Sequence, residues 1–352
     1  MPSYVYAGAA PWIAASKDAT TGGLFRLDTA SGRWQKLTAG LPDGVEARCV
    51  AAQPGAPNVI YVGTQSGPYR SSDGGDSWNR LALPGGDRLV WSILLDPKDP
   101  RTIYVGTQGT TIFRSRDGGA NWRELTPPEP KGMVKMSFPC RVIRLASDPS
   151  QPSRIYAGLE VGGVMRSGDG GDSWEGCNES LLEFTKEPRL RSRIVSDTET
   201  EGMMDSHALA TSPAVSGTVF LANRMGLFRS GDGGMHWHEI GIGRFSPLTY
   251  ARDVKVSAHD PRTMYAALSV AAVSDEGSLY RSRDLGESWQ RFDHGVAMKS
   301  TLMIIAESPS NPDRVYCATR KGQVFGTEDG GRSWREHQLP DGVEGVYGLW
   351  AA

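Results

Sequence analysis

The chain has 352 residues and a formal net charge of −2 at pH 7. Such a balance gives no global field toward nucleic acid or a membrane surface, and no apolar run approaches the roughly 18 residues of a spanning helix. Its 43 Gly, 22 Pro and 10 Trp point away from a helical protein and toward a repeated β architecture with glycine turns.

In chain order, the N-terminal SYVYAG alternates like a strand. No basic and apolar leader precedes it, which points to a cytoplasmic protein, or to an exported one if the chain has been trimmed. A degenerate box, LDTASGRW, ends at Trp34 with Asp28 one place out of frame. Full copies of the frame S-x-D-x-G-x-x-W then end at Trp78, Trp122, Trp174, Trp237 and Trp289. A sixth copy, TEDGGRSW, ends at Trp334 with Thr327 in place of Ser. Successive tryptophans lie 44, 44, 52, 63, 52 and 45 residues apart, a base period of about 44 plus insertions.

Each unit reads alike. An apolar segment ending near a Pro (LVWSILLDP) is followed by a second strand (TIYVGT), a third (TIFRS), the box, and a short fourth (WRELT). Four short strands per period make a propeller blade, and no segment carries a helical period. The C-terminal GVYGLWAA matches a first strand, whereas SYVYAG matches a second. The sequence therefore predicts one all-β domain over 1–352: a seven-bladed propeller whose terminal strands share one blade, with an insertion at 175–205 between blades four and five.

The box has a mechanical explanation. DGG between two strands is a tight turn, since glycine tolerates positive φ. The Asp and Ser side chains bond backbone N–H groups in the turn, and the Trp packs back onto the blade. Acids at alternate positions, as in a calcium loop, are missing. The four cysteines show no paired spacing and read as buried or half-buried free thiols, so no metal or other cofactor is expected.

The box resembles the Asp-box, or BNR repeat, of bacterial sialidases, two-domain xyloglucanases, sortilin-type receptors and a photosystem assembly factor. The resemblance covers nearly the whole chain and implies a sialidase-like propeller fold. It leaves the activity open, because those relatives share the turn and not the chemistry. The N-terminal Arg-Ile-Pro of sialidases is missing here.

Blade topology puts the boxes on one face and the insertions (9–22, 126–139, 175–205, 240–251 and 269–278) on the other. A site is expected on the insertion face. Alignment of the innermost strands on their terminal prolines puts Arg48, Trp91, Ile143, His207, Lys255, Met303 and Tyr347 in one ring at the channel mouth. Two residues earlier stand Glu46, Arg141, Asp205 and Asp253. The second-strand ends add Gln65, Gln108, Glu160, Arg224 and Arg320, and Trp12 lies in the first-blade loop.

These groups suggest a small polar ligand, anionic or sugar-like. In a glycoside hydrolase version Glu160, Asp205 or Asp253 act as acid and base. In a lyase version His207 or Tyr347 is the base, and Arg48 or Arg141 neutralises a substrate carboxylate. Trp91, Lys255, Arg224, Arg320, Gln65, Gln108 and Trp12 complete the expected ligand contacts. The alternative is a non-catalytic scaffold that docks a protein partner on the same face.

Overall fold

The computed structural model describes residues 3–11 and 22–352. These form seven four-stranded antiparallel sheets arranged as a seven-bladed propeller. The innermost strands are Ala47–Gln53, Val90–Leu95, Val142–Ser147, Ser206–Ser212, Tyr250–Val256, Leu302–Ser308 and Val346–Ala351. The last of these closes the ring. It pairs with the N-terminal strand Tyr4–Ala9, with Val5 opposite Ala351 and Ala7 opposite Leu349. The chain ends thus cover each other's edges instead of leaving two open ones.

The boxes repeat one geometry. In blade three, Ser115 Oγ accepts the Gly119 N–H at 2.8 Å and donates to Asp117 at 2.8 Å. The Asp117 carboxylate in turn accepts from the Asn121 N–H and the Asn121 amide. These bonds, from Asn121 above all, hold the Asp117 pKa down at about 2. The box also fastens blade to blade. The arginine just before the box serine reaches the next blade's turn: Arg114 Nη1 donates to the Gly170 carbonyl at 2.6 Å, joined there by the Tyr104 hydroxyl. Arg26 with Tyr6 on Gly74, and Arg166 on Gly233, repeat the contact. Ser115→Ala leaves a buried N–H without its acceptor. It is expected to lower stability by about 1–3 kcal/mol in denaturant titration, with ligand binding unchanged.

Six inner strands carry a β-bulge at the same level, between Ala47 and Cys49, Val90 and Ser92, Val142 and Arg144, Ser206 and Ala208, Ala251 and Asp253, and Leu302 and Ile304. The seventh register slips between Gly348 and Val346, opposite Gly8 and Ala9, leaving out Tyr347. A bulge re-aims the extra residue's side chain. The extra residues are Arg48, Trp91, Ile143, His207, Arg252, Met303 and Tyr347, and all seven line one narrow cavity on the channel axis.

The insertions depart from the all-strand expectation. The 175–205 segment contains short helices at Glu179–Phe184 and Glu201–Met204 and a 3-10 turn at Pro188–Leu190. Two helices of six and four residues are too short to show a helical period in the sequence. The segment also divides between two places. Its first half packs on the outer rim against the blade-five box, where Ser180 Oγ donates to the Met235 carbonyl and accepts the Trp237 N–H. Its second half turns to the mouth, held by the buried Glu201 carboxylate, which accepts the N–H groups of Ile194, Val195 and Ser196.

Candidate functional site

Above the ring of bulged residues lies a cleft of about 460 Å³. Three insertions build its walls: Met136 and Phe138 from the blade-three link, Ile194 and Val195 from the 175–205 segment, and Ala272 from blade six. The blade-four and blade-five turns add Glu160 and Arg224, and the inner strands add Trp91, Arg141, Tyr250, Arg252 and Tyr347. Asp205 and Glu201 add carboxylates to the lining.

Trp91 is the hub. The Arg48 and Arg141 guanidiniums lie 4.5 and 4.7 Å from its ring centroid, and Tyr347 meets it edge-on at 5.6 Å. Phe138 covers Arg141 from another side, at 4.7 Å. Stacked guanidiniums of this kind keep their charge while losing water, which suits arginine better than lysine.

Three carboxylates line the cleft: Glu201 is occupied by the backbone N–H groups of Ile194, Val195 and Ser196, and the surroundings of the other two, Glu160 and Asp205, push them in opposite directions. Burial raises the Glu160 pKa to about 7, against the pull of Arg141, whose Nη1 is 2.8 Å away. The negative charge of Asp205 raises it further. Asp205 is itself buried, which alone would raise it, but His207, Arg224 and Arg252 bring it below the usual carboxylate range. Near neutral pH one carboxyl can therefore donate a proton while the other remains ionised.

His207 sits beneath this pair. Its Nδ1 lies 2.7 Å from the Ala251 carbonyl, and its Nε2 lies 3.2 Å from Asp205 and 3.4 Å from the Tyr250 hydroxyl. Burial pulls its pKa down, with Asp205 opposing. The Ala251 carbonyl can only accept, so Nδ1 carries a proton; Nε2 then accepts from the Tyr250 hydroxyl in the neutral ring and donates to Asp205 only in the protonated one.

The remaining expected residues lie elsewhere. Asp253 is fully buried in the scaffold; it accepts the Ile305 N–H at 2.9 Å and pairs with Arg144 at 3.3 Å. Lys255 lies three residues beyond the bulge, beside Asp253, and lines neither the cleft nor the cavity beneath it. The ring position in blade six belongs to Arg252. The proline alignment is out of register there: Ser257 N–H bonds the Thr263 carbonyl just as Asp96 N–H bonds that of Thr102. Pro261 therefore matches Pro100, not Pro97. The matching strings KDPRT and HDPRT are the signal that finds Arg252.

Arg320 stands on the blade-seven side, 3.8 Å from Glu344, outside the cleft lining. Gln65 ties the link between blades one and two, accepting the Glu46 N–H and donating to the Gly44 carbonyl. Gln108 forms a backbone bridge to Arg141. Trp12 falls outside the described residues. Among the described residues no group of three or more His, Cys, Asp and Glu stands close enough to hold a metal ion. The four cysteines are unpaired. Among the described residues no helix is long and apolar enough to cross a membrane.

Comparison with known proteins adds direction. Residues 277–347 match the family model described as Sortilin, neurotensin receptor 3. Xyloglucanase Xgh74A of Acetivibrio thermocellus is 28% identical over 327 residues, covering 83% of this chain and 36% of the relative. A Paenibacillus xyloglucanase is 31% identical over 196 residues, covering 44% of this chain and 18% of the relative.

Curated xyloglucanases are its homologues.

The chain spans about a third of the length of Xgh74A, 36%. Among solved structures, the GH74 xyloglucanase from Xanthomonas campestris superposes with a TM-score of 0.67 at 18% identity, covering 99% of this chain and 52% of that one. The structure described as YCF48 bound to D1 peptide gives 0.52 at 15%, covering 85% and 86%. At such identities these two likenesses speak for the fold alone.

Proposed function

We propose that the cleft binds a glycan and hydrolyses a glycosidic bond, with Glu160 as general acid and Asp205 as its ionised partner. What carries this reading is that Glu160 and Asp205 share one cleft walled by aromatic side chains, in surroundings that push their pKa values in opposite directions. Pairs of carboxyl groups separated in this way divide the acid and base work of glycoside hydrolysis. Glu160 delivers its proton to the glycosidic oxygen as the bond breaks, and Asp205 takes a proton from the incoming water. Phe138, half-buried on the link, offers a flat face to a sugar ring above the floor made by Trp91 and Tyr250, and Arg141 and Arg224 offer donors to hydroxyl groups. The xyloglucanase homologues support a carbohydrate substrate and make xyloglucan oligosaccharides the first to try.

The register of blade six supplies a test. Arg252→Met is expected to weaken oligosaccharide binding at least about tenfold, roughly the 1.4 kcal/mol of one charge-assisted contact. Lys255→Met should leave binding within about twofold. Calorimetry against xyloglucan oligosaccharides, uronic acids and sialic acid reads both. Equal losses in the two variants would argue against a site centred on Arg252.

A second reading has separate support. Val195, Val270 and Val273 stand exposed at the mouth, at 72%, 59% and 62%. Apolar anchors of this kind suit docking of a protein segment. Such a partner would bind in the same calorimetry where every glycan fails.

A further inference from the structure

The narrow cavity beneath the cleft holds about 30 Å³, room for a single small ion or one or two waters but not for a sugar ring. Three guanidiniums line it, from Arg48, Arg144 and Arg252, together with the indole of Trp91, the His207 imidazole and the Tyr347 ring. Among the described residues no carboxylate lines it. The only other titratable liner is Cys49, whose thiol burial pushes up to about 12 and so keeps uncharged.

The carboxylates that balance these arginines stand outside the lining. Glu46 pairs with Arg48 at 2.8 Å and Asp253 with Arg144 at 3.3 Å. Those pairs do not use up the donors. Arg48, only 4% exposed, has Nε and Nη1 without a protein acceptor, and the same holds for Arg144 Nε and for the indole N–H of Trp91, which is 6% exposed. Buried N–H groups without acceptors are costly, and three adjacent guanidiniums repel one another. A neutral water can relieve only the first of these. It would need its own donors satisfied too, in a lining rich in donors. A monatomic anion accepts from every side and offsets the charge.

We propose that this cavity is a binding site for a small monovalent anion of the halide class, held by Arg48, Arg144, Arg252 and the Trp91 N–H. Its place on the channel axis, one layer below Trp91 and Tyr347, makes it a keystone for the cleft floor, whether or not the cleft is catalytic.

The test uses the whole chain with bromide as probe. Crystals grown in sodium bromide should show an anomalous peak inside the cavity. The melting temperature in sodium chloride minus that in sodium gluconate, at equal ionic strength, should be more positive for the wild type than for Arg48→Met, by about 2 °C or more. Gluconate is too large for the cavity and supplies the same charge. A cavity occupied by water alone in bromide-grown crystals overturns the proposal, and so does an equal salt response in the two proteins. If Arg48→Met fails to fold, the anomalous map alone decides.

Discussion

Glu160→Gln is expected to lower glycoside hydrolysis by about 100- to 10,000-fold, the range for loss of a general acid, with the propeller still folded. The amide keeps the shape of the carboxyl and its contact with Arg141 but has no proton to give. Wild-type activity should fall as pH rises through about 7, because Glu160 is then ionised. Stability should move the same way. The folded-state pKa is raised, so the contribution of Glu160 is fully present below the unfolded value near 4.3 and is lost as pH climbs to about 7. Glu160→Gln should remove both dependences. Rates and denaturation midpoints at pH 5 and pH 8 check the two together. An undiminished rate, or an activity limb unmoved by the substitution, would show that another group is the acid.

Trp91→Ala should be the most disruptive single change at the mouth. The side chain is 6% exposed and lies against two guanidiniums and Tyr347. Truncation leaves a cavity costing about 3–5 kcal/mol and removes two cation–π contacts worth roughly 0.5–2 kcal/mol each. The terms overlap, so the expected loss is about 4 kcal/mol. Trp91→Phe keeps most of the ring face and should lose less than half as much. Denaturant titration of both variants separates packing from the indole N–H. A loss below about 1 kcal/mol in the alanine variant would mean that the stack is not holding the floor.

The fold was legible because it repeats. A period of about 44 residues, a box in each unit and a split unit at the two ends leave few alternatives to a closed ring. From sequence the box reads as a hairpin lock. Its second job, receiving an arginine and a tyrosine from the preceding blade, shows only in three dimensions, although the recurring Arg before Ser was visible throughout.

The site was legible in part. Arg48, Trp91, Arg141, Glu160, Asp205, His207, Arg224 and Tyr347 do meet at the mouth or just beneath it. Arg252 escapes the proline alignment because blade three offers two prolines, Pro97 and Pro100, and Pro100 is the one equivalent to Pro261. Phe138, Ile194 and Val195 were out of reach for a different reason. They lie on irregular links, where side-chain direction follows from local contacts such as the Glu201 carboxylate and not from any period.

The central claim, that this cleft cleaves a glycan with Glu160 and Asp205, is tested most directly by release of reducing ends from xyloglucan oligosaccharides. The wild-type chain should release them, and Asp205→Asn and Glu160→Gln should each slow the release by about 100-fold or more while still binding the oligosaccharide. No release and no binding by the wild type, with stabilisation instead by a peptide, would contradict it.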